Sequence, residues 1–82
     1  MKKEFKVIAD LLPNNTRVLD VGCGDGLLMN LLKKEKNIEV RGLELDRGNV
    51  QQCINKGLPV IQGNAETELH QFPNHLLLIH TL

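Results

Sequence analysis

The stretch VLDVGCGDG, from Val18 to Gly26, decides the fold, because three glycines stand at alternate positions directly after an apolar run. Glycine loses more backbone freedom on folding than any other residue, so this cluster indicates a turn that other residues cannot make. Either the backbone takes positive φ values there, or an external group comes very close to it. A strand that enters a glycine turn and then a helix is typical of a nucleotide site, since the first helical amides lack partners and the helix dipole is positive there.

The spacing of the glycines separates the classes of nucleotide. A dinucleotide fingerprint needs G-x-G-x-x-G, and its third glycine falls on Leu27 or Met29 in the two available registers. The G-K-[ST] end of a P-loop is absent from the sequence. The pattern that is present is D-x-G-x-G-x-G, formed by Asp20, Gly22, Gly24 and Gly26. A nicotinamide-dependent dehydrogenase is therefore only a minor alternative.

Hydrophobic periodicity predicts strands that alternate with helices. The predicted strands are residues 17–21, 39–44, 59–62 and 76–80, and the predicted helices are residues 3–12, 26–36 and 47–56, with room for a helical turn in residues 64–75. Asp25 and Asp46 are suited to cap the second and third helices, and Asn37 and Gly57 to end them in the left-handed conformation. This alternation predicts an α/β fold, a Rossmann-like parallel sheet of order 3-2-1-4 with flanking helices.

Length, charge and composition bound the class of protein. The 82 residues suffice for one small domain, and ten acidic and ten basic side chains give no net charge. A neutral chain with two aromatic residues offers no basic surface or stacking platform for nucleic acid. The longest aliphatic run, Leu76–Ile79, is too short to span a membrane. Cys23 and Cys53 without a secretory signal fit a reducing compartment, so we expect a cytoplasmic protein.

With its leading acid, the glycine pattern resembles that of S-adenosylmethionine-dependent methyltransferases of the Rossmann-like class. The resemblance implies that the turn lies beneath the methionine moiety and ribose of the cofactor, and that Asp20 holds its amino group directly or through water. Glu44, at the end of the second predicted strand, can accept from both ribose hydroxyls, as an acid about twenty residues on does in dinucleotide sites. The alternative is that Asp20 and Glu44 are merely solvated acids at strand ends.

Residues after the third strand complete the expected cofactor site. Enzymes of this class commonly have an acid at the position of Asn64, where it binds the exocyclic amine of adenine, and Asn64 can accept the same bond through its amide oxygen. A turn-forming role for Asn64 is the alternative. The residues expected to bind S-adenosyl-L-methionine are Asp20, Gly22, Cys23, Gly24, Gly26, Glu44, Leu45, Asn64 and Ala65. No metal ligand is expected and no catalytic residue is assigned, since His70, His75 and His80 match neither a metal pair nor a triad in their spacing.

Residues 5–73 combine a short leading helix, the VLDVGCGDG turn, the GLELD strand and a following helix that contains CI. In these features most of the chain resembles one subgroup more closely, the family of the methionine biosynthesis protein MetW. The resemblance implies a methyltransferase-like protein associated with methionine biosynthesis, with an open methyl acceptor and with homoserine O-acetyltransferase as its partner. A non-catalytic module that binds and regulates this acetyltransferase is the alternative.

The resemblance weakens in FPNHLLLIHTL, from Phe72 to Leu82. In the family a few residues, usually including Ser-Phe-Asp, separate the Phe-Pro turn from the fourth strand, and a fifth strand follows. We therefore expect residues 1–82 to form a single, truncated domain corresponding to the N-terminal half of the class I methyltransferase fold, and an inactive remnant is a further alternative. An aliphatic strand at a sheet edge is a template for other chains, so we also expect self-association through residues 76–82.

Overall fold

The computed structural model describes residues 3–80, in which four parallel strands form one sheet. The elements in chain order are α1 (Lys3–Leu11), β1 (Arg17–Val21), α2 (Leu27–Glu35), β2 (Glu39–Glu44), α3 (Arg47–Asn55), β3 (Val60–Gln62), α4 (Ala65–Glu68), a 3₁₀ turn (Leu69–Gln71) and β4 (Leu77–His80). The strand order is β3-β2-β1-β4, and all three neighbouring pairs are parallel. The predicted Rossmann-like fold and its strand order are confirmed.

β1 lies at the centre of the sheet because its side chains suit burial on both faces. Val18 and Leu19 are fully buried, and β1 pairs with β2 on one side and with β4 on the other. The strand order therefore reverses at β1, and the glycine turn follows its carboxyl end. Ligands of open α/β sheets bind outside the carboxyl ends of the strands at such a switch point.

The core fills the space between the helices and the sheet. α2 contributes Leu28, Leu31 and Leu32, whose spacing places them on one helical face, and α1 contributes Ala9 with Leu12 just beyond its end.

No helix within residues 3–80 is long and apolar enough to cross a membrane.

Both ends of α3 have the predicted caps. The Asp46 carboxylate accepts a 2.9 Å hydrogen bond from the Asn49 amide at the start of the helix. At its end Gly57 has φ 73°, its amide donates to the Ile54 carbonyl, and the Leu58 amide donates to the Cys53 carbonyl. These two bonds form a Schellman motif, so α3 is fixed at both ends.

The ends of α2 differ from the prediction. Its N-cap is Gly26 rather than Asp25, because the glycine turn enters the helix in the left-handed conformation, and the Asp25 carboxylate accepts only a 3.3 Å bond from the Leu27 amide. Asn37 does not end α2 with a positive φ. Instead its carbonyl accepts from the Asn15 amide and its side-chain amide donates to the Asn15 side chain, so the chain leaves the helix extended toward β2.

Candidate functional site

The glycine turn has left-handed backbone at all three of its glycines. The φ values are 71° at Gly22, 61° at Gly24 and 89° at Gly26. A Cβ on Gly26 would lie 2.6 Å from Leu58 Cδ1 and 3.0 Å from Cys53 Sγ, whereas a Cβ on Gly24 would have nothing within 4 Å. Positive φ therefore explains all three glycines, and close packing adds a second requirement at Gly26.

The Glu44 carboxylate links the glycine turn to the end of β2. This side chain is buried, since only 8% of the residue is exposed. Its Oε1 accepts a 2.8 Å hydrogen bond from the Gly24 amide, and its Oε2 accepts a 2.9 Å bond from the Asp46 amide. The two bonds fix the orientation of the carboxylate, and each oxygen retains a further lone pair for another donor.

A cleft of about 320 Å³ opens at the carboxyl ends of β1, β2 and β3. Its lining consists of Val21, Gly22, Leu43, Glu44, Leu45, Gly63, Asn64, Ala65 and Glu66. The structure thus brings five of the expected site residues to one surface: Gly22, Glu44, Leu45, Asn64 and Ala65. The other four were not predicted from the sequence, although each of them is a chain neighbour of an expected residue.

The remaining expected residues, Asp20, Cys23, Gly24 and Gly26, are not in the cleft lining. Asp20 is fully buried within β1, in register with Gly42 of β2 and Ile79 of β4. Gly24 donates its amide to Glu44, and Gly26 packs against Leu58. Cys23, Gly24 and Gly26 therefore form the turn itself, and Asp20 lies in the strand that precedes it.

Cys23 and Cys53 form a buried pair behind the glycine turn. Their Sγ atoms are 3.9 Å apart, and the Cys53 thiol donates a 3.3 Å bond to the Gly24 carbonyl. Burial raises the pKa of both thiols, and the neighbouring Cys53 raises the pKa of Cys23 further. Because the thiolate is the nucleophilic form, this burial disfavours a nucleophilic role for either thiol.

Asn64 caps α4. Its Oδ1 accepts a 2.9 Å bond from the Glu66 amide, and its backbone carbonyl accepts from the Thr67 and Glu68 amides. The amide oxygen is thereby directed at the start of the helix. The geometry favours the turn-forming interpretation of Asn64.

The charge of the cleft has one sign. Glu44 and Glu66 are carboxylates, and none of the described residues that line the cleft is a lysine, arginine or histidine. A cation is electrostatically favoured in this lining, whereas a phosphate or pyrophosphate finds no counter-charge there. Within residues 3–80 no group of three or more histidine, cysteine, aspartate or glutamate side chains could hold a metal ion.

Solved structures similar to this chain include S-adenosylmethionine-dependent methyltransferases. The enzyme from Archaeoglobus fulgidus matches with TM-score 0.75 and 28% identity, over 85% of this chain and 31% of that one. A TehB-like enzyme from Corynebacterium glutamicum has TM-score 0.81 and 20% identity, over 96% and 44% of the two chains. An enzyme from Thiobacillus denitrificans, solved with S-adenosyl-L-homocysteine, has TM-score 0.69 and 21% identity, over 79% and 30%. This chain therefore spans less than half the length of each.

No curated protein matches the chain. The family model described as methionine biosynthesis protein MetW matches residues 2–80, which include the glycine turn, Glu44 and the whole cleft lining. The match confirms the resemblance seen in the sequence. The chain belongs to the family of the methionine biosynthesis protein MetW.

Proposed function

We propose that the cleft binds S-adenosyl-L-methionine, and that the chain is a methyltransferase-like protein acting in methionine biosynthesis. The observation that carries the proposal is the charge of the lining, with the carboxylates of Glu44 and Glu66 and no basic side chain among the described lining residues. Adenosylmethionine carries an ammonium and a sulfonium and no phosphate, so it is electrostatically suited to this cleft. A dinucleotide site would also need the G-x-G-x-x-G spacing, which the glycine turn lacks.

Glu44 is the proposed ligand of the ribose. Its carboxylate is held by the amides of Gly24 and Asp46, so it is oriented before a ligand arrives. The lone pairs that remain on its two oxygens can accept from the 2′- and 3′-hydroxyls. Gly22 lines the cleft without a side chain, which lets the cofactor approach the backbone closely.

The other expected site residues have supporting parts in this proposal. Leu45 and Ala65 line the cleft and offer apolar surface to the nucleoside, while Cys23 and Gly26 hold the turn in place from behind. For Asp20, which is fully buried, we propose the water-mediated form of its contact with the cofactor's amino group.

When bound, the cofactor supplies an activated methyl group. Its transfer requires an acceptor held in line with the sulfonium in a pocket that excludes water. We propose that residues 1–82 form one domain, the cofactor-binding part of a longer fold, since the chain spans 31% and 44% of two similar methyltransferases. The methyl acceptor is unassigned.

For its cellular context, we propose a cytoplasmic protein that binds homoserine O-acetyltransferase. Family membership supports the link to methionine biosynthesis, and two free, buried thiols are compatible with a reducing compartment. Co-elution of the two purified proteins in size-exclusion chromatography tests the pairing.

The cofactor proposal is tested by replacing Glu44. Glu44→Ala removes the acceptor for two ribose hydroxyls, and because a hydrogen bond to a charged group contributes about 1.5–3 kcal/mol, the affinity should fall at least about tenfold. Isothermal titration calorimetry with adenosylmethionine and S-adenosylhomocysteine measures this effect. Glu39→Ala is the matched control, since Glu39 is an exposed acid at the opposite end of the same strand.

Glu44 also supports the glycine turn, so a loss of affinity in Glu44→Ala could come from the turn or from the ribose. A second binding measurement separates the two causes. The 2′-deoxy analogue of S-adenosylhomocysteine removes one hydroxyl and leaves the protein intact. We expect the unaltered chain to bind the analogue at least about tenfold more weakly than the parent ligand. The Glu44→Ala variant should bind the analogue and the parent ligand with equal affinity. Equal affinity of the unaltered chain for both ligands would exclude Glu44 from ribose binding.

A further inference from the structure

The C-terminal end of α3 is bonded to two successive carbonyl groups of the glycine turn. The Cys53 thiol donates a 3.3 Å hydrogen bond to the Gly24 carbonyl, and Lys56 Nζ donates a 2.8 Å bond to the Asp25 carbonyl. Lys56 directly follows α3, and α3 joins β2 to β3. The same helix therefore connects the turn with two of the strands whose ends form the cleft.

The bond from Lys56 is the stronger of the two because its donor is an ammonium group. A thiol is a weak donor, whereas a hydrogen bond from a charged group is about twice as strong as a neutral one. The Lys56 side chain is 28% exposed, so solvent screens this bond only in part. The Asp25 carboxylate is 4.0 Å from Nζ and its side chain is 47% exposed. Lys56 therefore acts on the backbone of the turn more than on the Asp25 side chain.

The bond to the Asp25 carbonyl fixes the orientation of the peptide that joins Asp25 to Gly26. In a planar trans peptide the N–H points opposite to the C=O, so the Gly26 amide is directed away from Lys56. That amide donates a 3.2 Å bond to the Cys23 carbonyl and closes the turn. Without the ammonium the peptide loses its bond on the carbonyl side, and a rotation of the peptide plane then breaks the bond of the Gly26 amide as well.

We propose that Lys56 is a positioning residue, which holds the glycine turn in the conformation that receives adenosylmethionine. This inference rests on the proposed function of the cleft. Gly22 lines the cleft, and the Gly24 amide orients the Glu44 carboxylate, so both contribute to the cleft from the turn that Lys56 holds. Lys56 does not itself line the cleft, so its effect on the ligand passes through the turn.

The first test compares Lys56→Met with Lys56→Arg by isothermal titration calorimetry with S-adenosyl-L-homocysteine. Methionine keeps a long unbranched side chain without a donor, so the affinity should fall about three- to tenfold, the range of one net intramolecular hydrogen bond. A guanidinium can donate to the same carbonyl, so Lys56→Arg should bind within about twofold of the unaltered chain. Lys33→Met is the matched control and should also bind within about twofold, because Lys33 donates a 3.4 Å bond to the Gly57 carbonyl at the same end of α3.

The second test measures the turn itself without ligand, by hydrogen exchange of the Gly26 amide in NMR spectra. The exchange should accelerate at least about threefold in Lys56→Met relative to the Val50 amide, which donates to the Asp46 carbonyl at the start of α3. A general loss of stability would accelerate both amides, so the ratio of the two rates isolates the turn.

The positioning role requires a loss of affinity that arginine recovers and a faster exchange at Gly26. Failure of either result, or an equal loss of affinity in Lys33→Met, would overturn it, while the cofactor proposal stands because the unaltered chain binds the ligand. If the unaltered chain does not bind S-adenosyl-L-homocysteine, the cofactor proposal fails and the positioning role fails with it.

Discussion

Gly24 and Gly26 share a left-handed backbone but differ in their surroundings, so alanine at the two positions separates strain from packing. Left-handed backbone costs an L-residue about 1–2 kcal/mol, which applies to both substitutions. A Cβ at Gly26 would also meet Leu58 and Cys53 at 3.0 Å or less, and overpacking adds about 1–3 kcal/mol. We expect Gly26→Ala to lower the free energy of unfolding clearly more than Gly24→Ala in urea denaturation. Equal losses would mean that the space beside Gly26 relaxes without cost.

Individual site residues were predictable where a local sequence pattern indicates their position. The glycine spacing and the acid at the end of β2 point to the turn and to Glu44 because both depend on the strand–turn–helix geometry alone. The direction of the Asn64 side chain depends on the capping of α4, and the contact between Cys23 and Cys53 depends on how α3 packs against the turn. Neither can be inferred from residue spacing, so the role of Asn64 stayed open and the contact between the two thiols was not predicted.

At the scale of the helices, the two aspartates expected as N-caps have different contacts. Asp46 accepts from the Asn49 amide at 2.9 Å, whereas Asp25 precedes the actual cap, Gly26, and accepts at 3.3 Å from Leu27. An N-cap is worth about 0.5–2 kcal/mol, so Asp46→Ala should lower the free energy of unfolding by about 1 kcal/mol. Asp25→Ala should cost less, because its remaining partner, Lys56, is 4.0 Å away and partly exposed. Urea denaturation measures the free energy of unfolding of both variants. A larger loss for Asp25→Ala than for Asp46→Ala would contradict the prediction.

The elements themselves followed the sequence closely, since every main helix and strand lies within about one residue of its predicted bounds. The ends of α3 were also correct, because Asp46 and Gly57 act on amides and carbonyls within the same helix. The predicted caps of α2 were wrong because they depend on the backbone conformation of the glycine turn and on groups outside the helix. The glycine turn fixes its start, and the Asn15 loop and the carbonyls of Ala9 and Leu12, which accept from Lys36, fix its end.

For the whole molecule, we expect a second copy of the chain to associate at the sheet edge formed by β4. β4 pairs with β1, and no strand within residues 3–80 lies on its other side. Leu77 and Leu78 are 41% and 53% exposed, so a second copy of the chain could bury them while adding strand to strand. The strand order and the edge position of β4 were predictable from the position of the nucleotide turn, whereas the exposed fractions of Leu77 and Leu78 depend on side-chain packing that spacing does not encode.

Leu77→Lys should weaken this association, because an edge lysine disfavours strand addition by a second chain. Size-exclusion chromatography with light scattering, over a range of protein concentrations, should show a larger mass for the unaltered chain than for the variant. Ile54→Lys introduces the same charge at an apolar residue that is 54% exposed on α3, which contacts β3 at the opposite side of the sheet from β4, and it should leave the mass unchanged. A monomeric unaltered chain would remove the proposal.

Because Cys53 is buried, its rate of alkylation in the native protein measures local opening. Cys53 lies enclosed between α3 and the glycine turn, with its thiol bonded to the Gly24 carbonyl, and it can meet an alkylating reagent only when these two parts separate. Its labelling rate in the native state therefore reports how often the helix leaves the turn, in the way that amide exchange reports local opening. Any compound that holds the turn closed will slow this chemistry, whether or not it changes the shape of the protein.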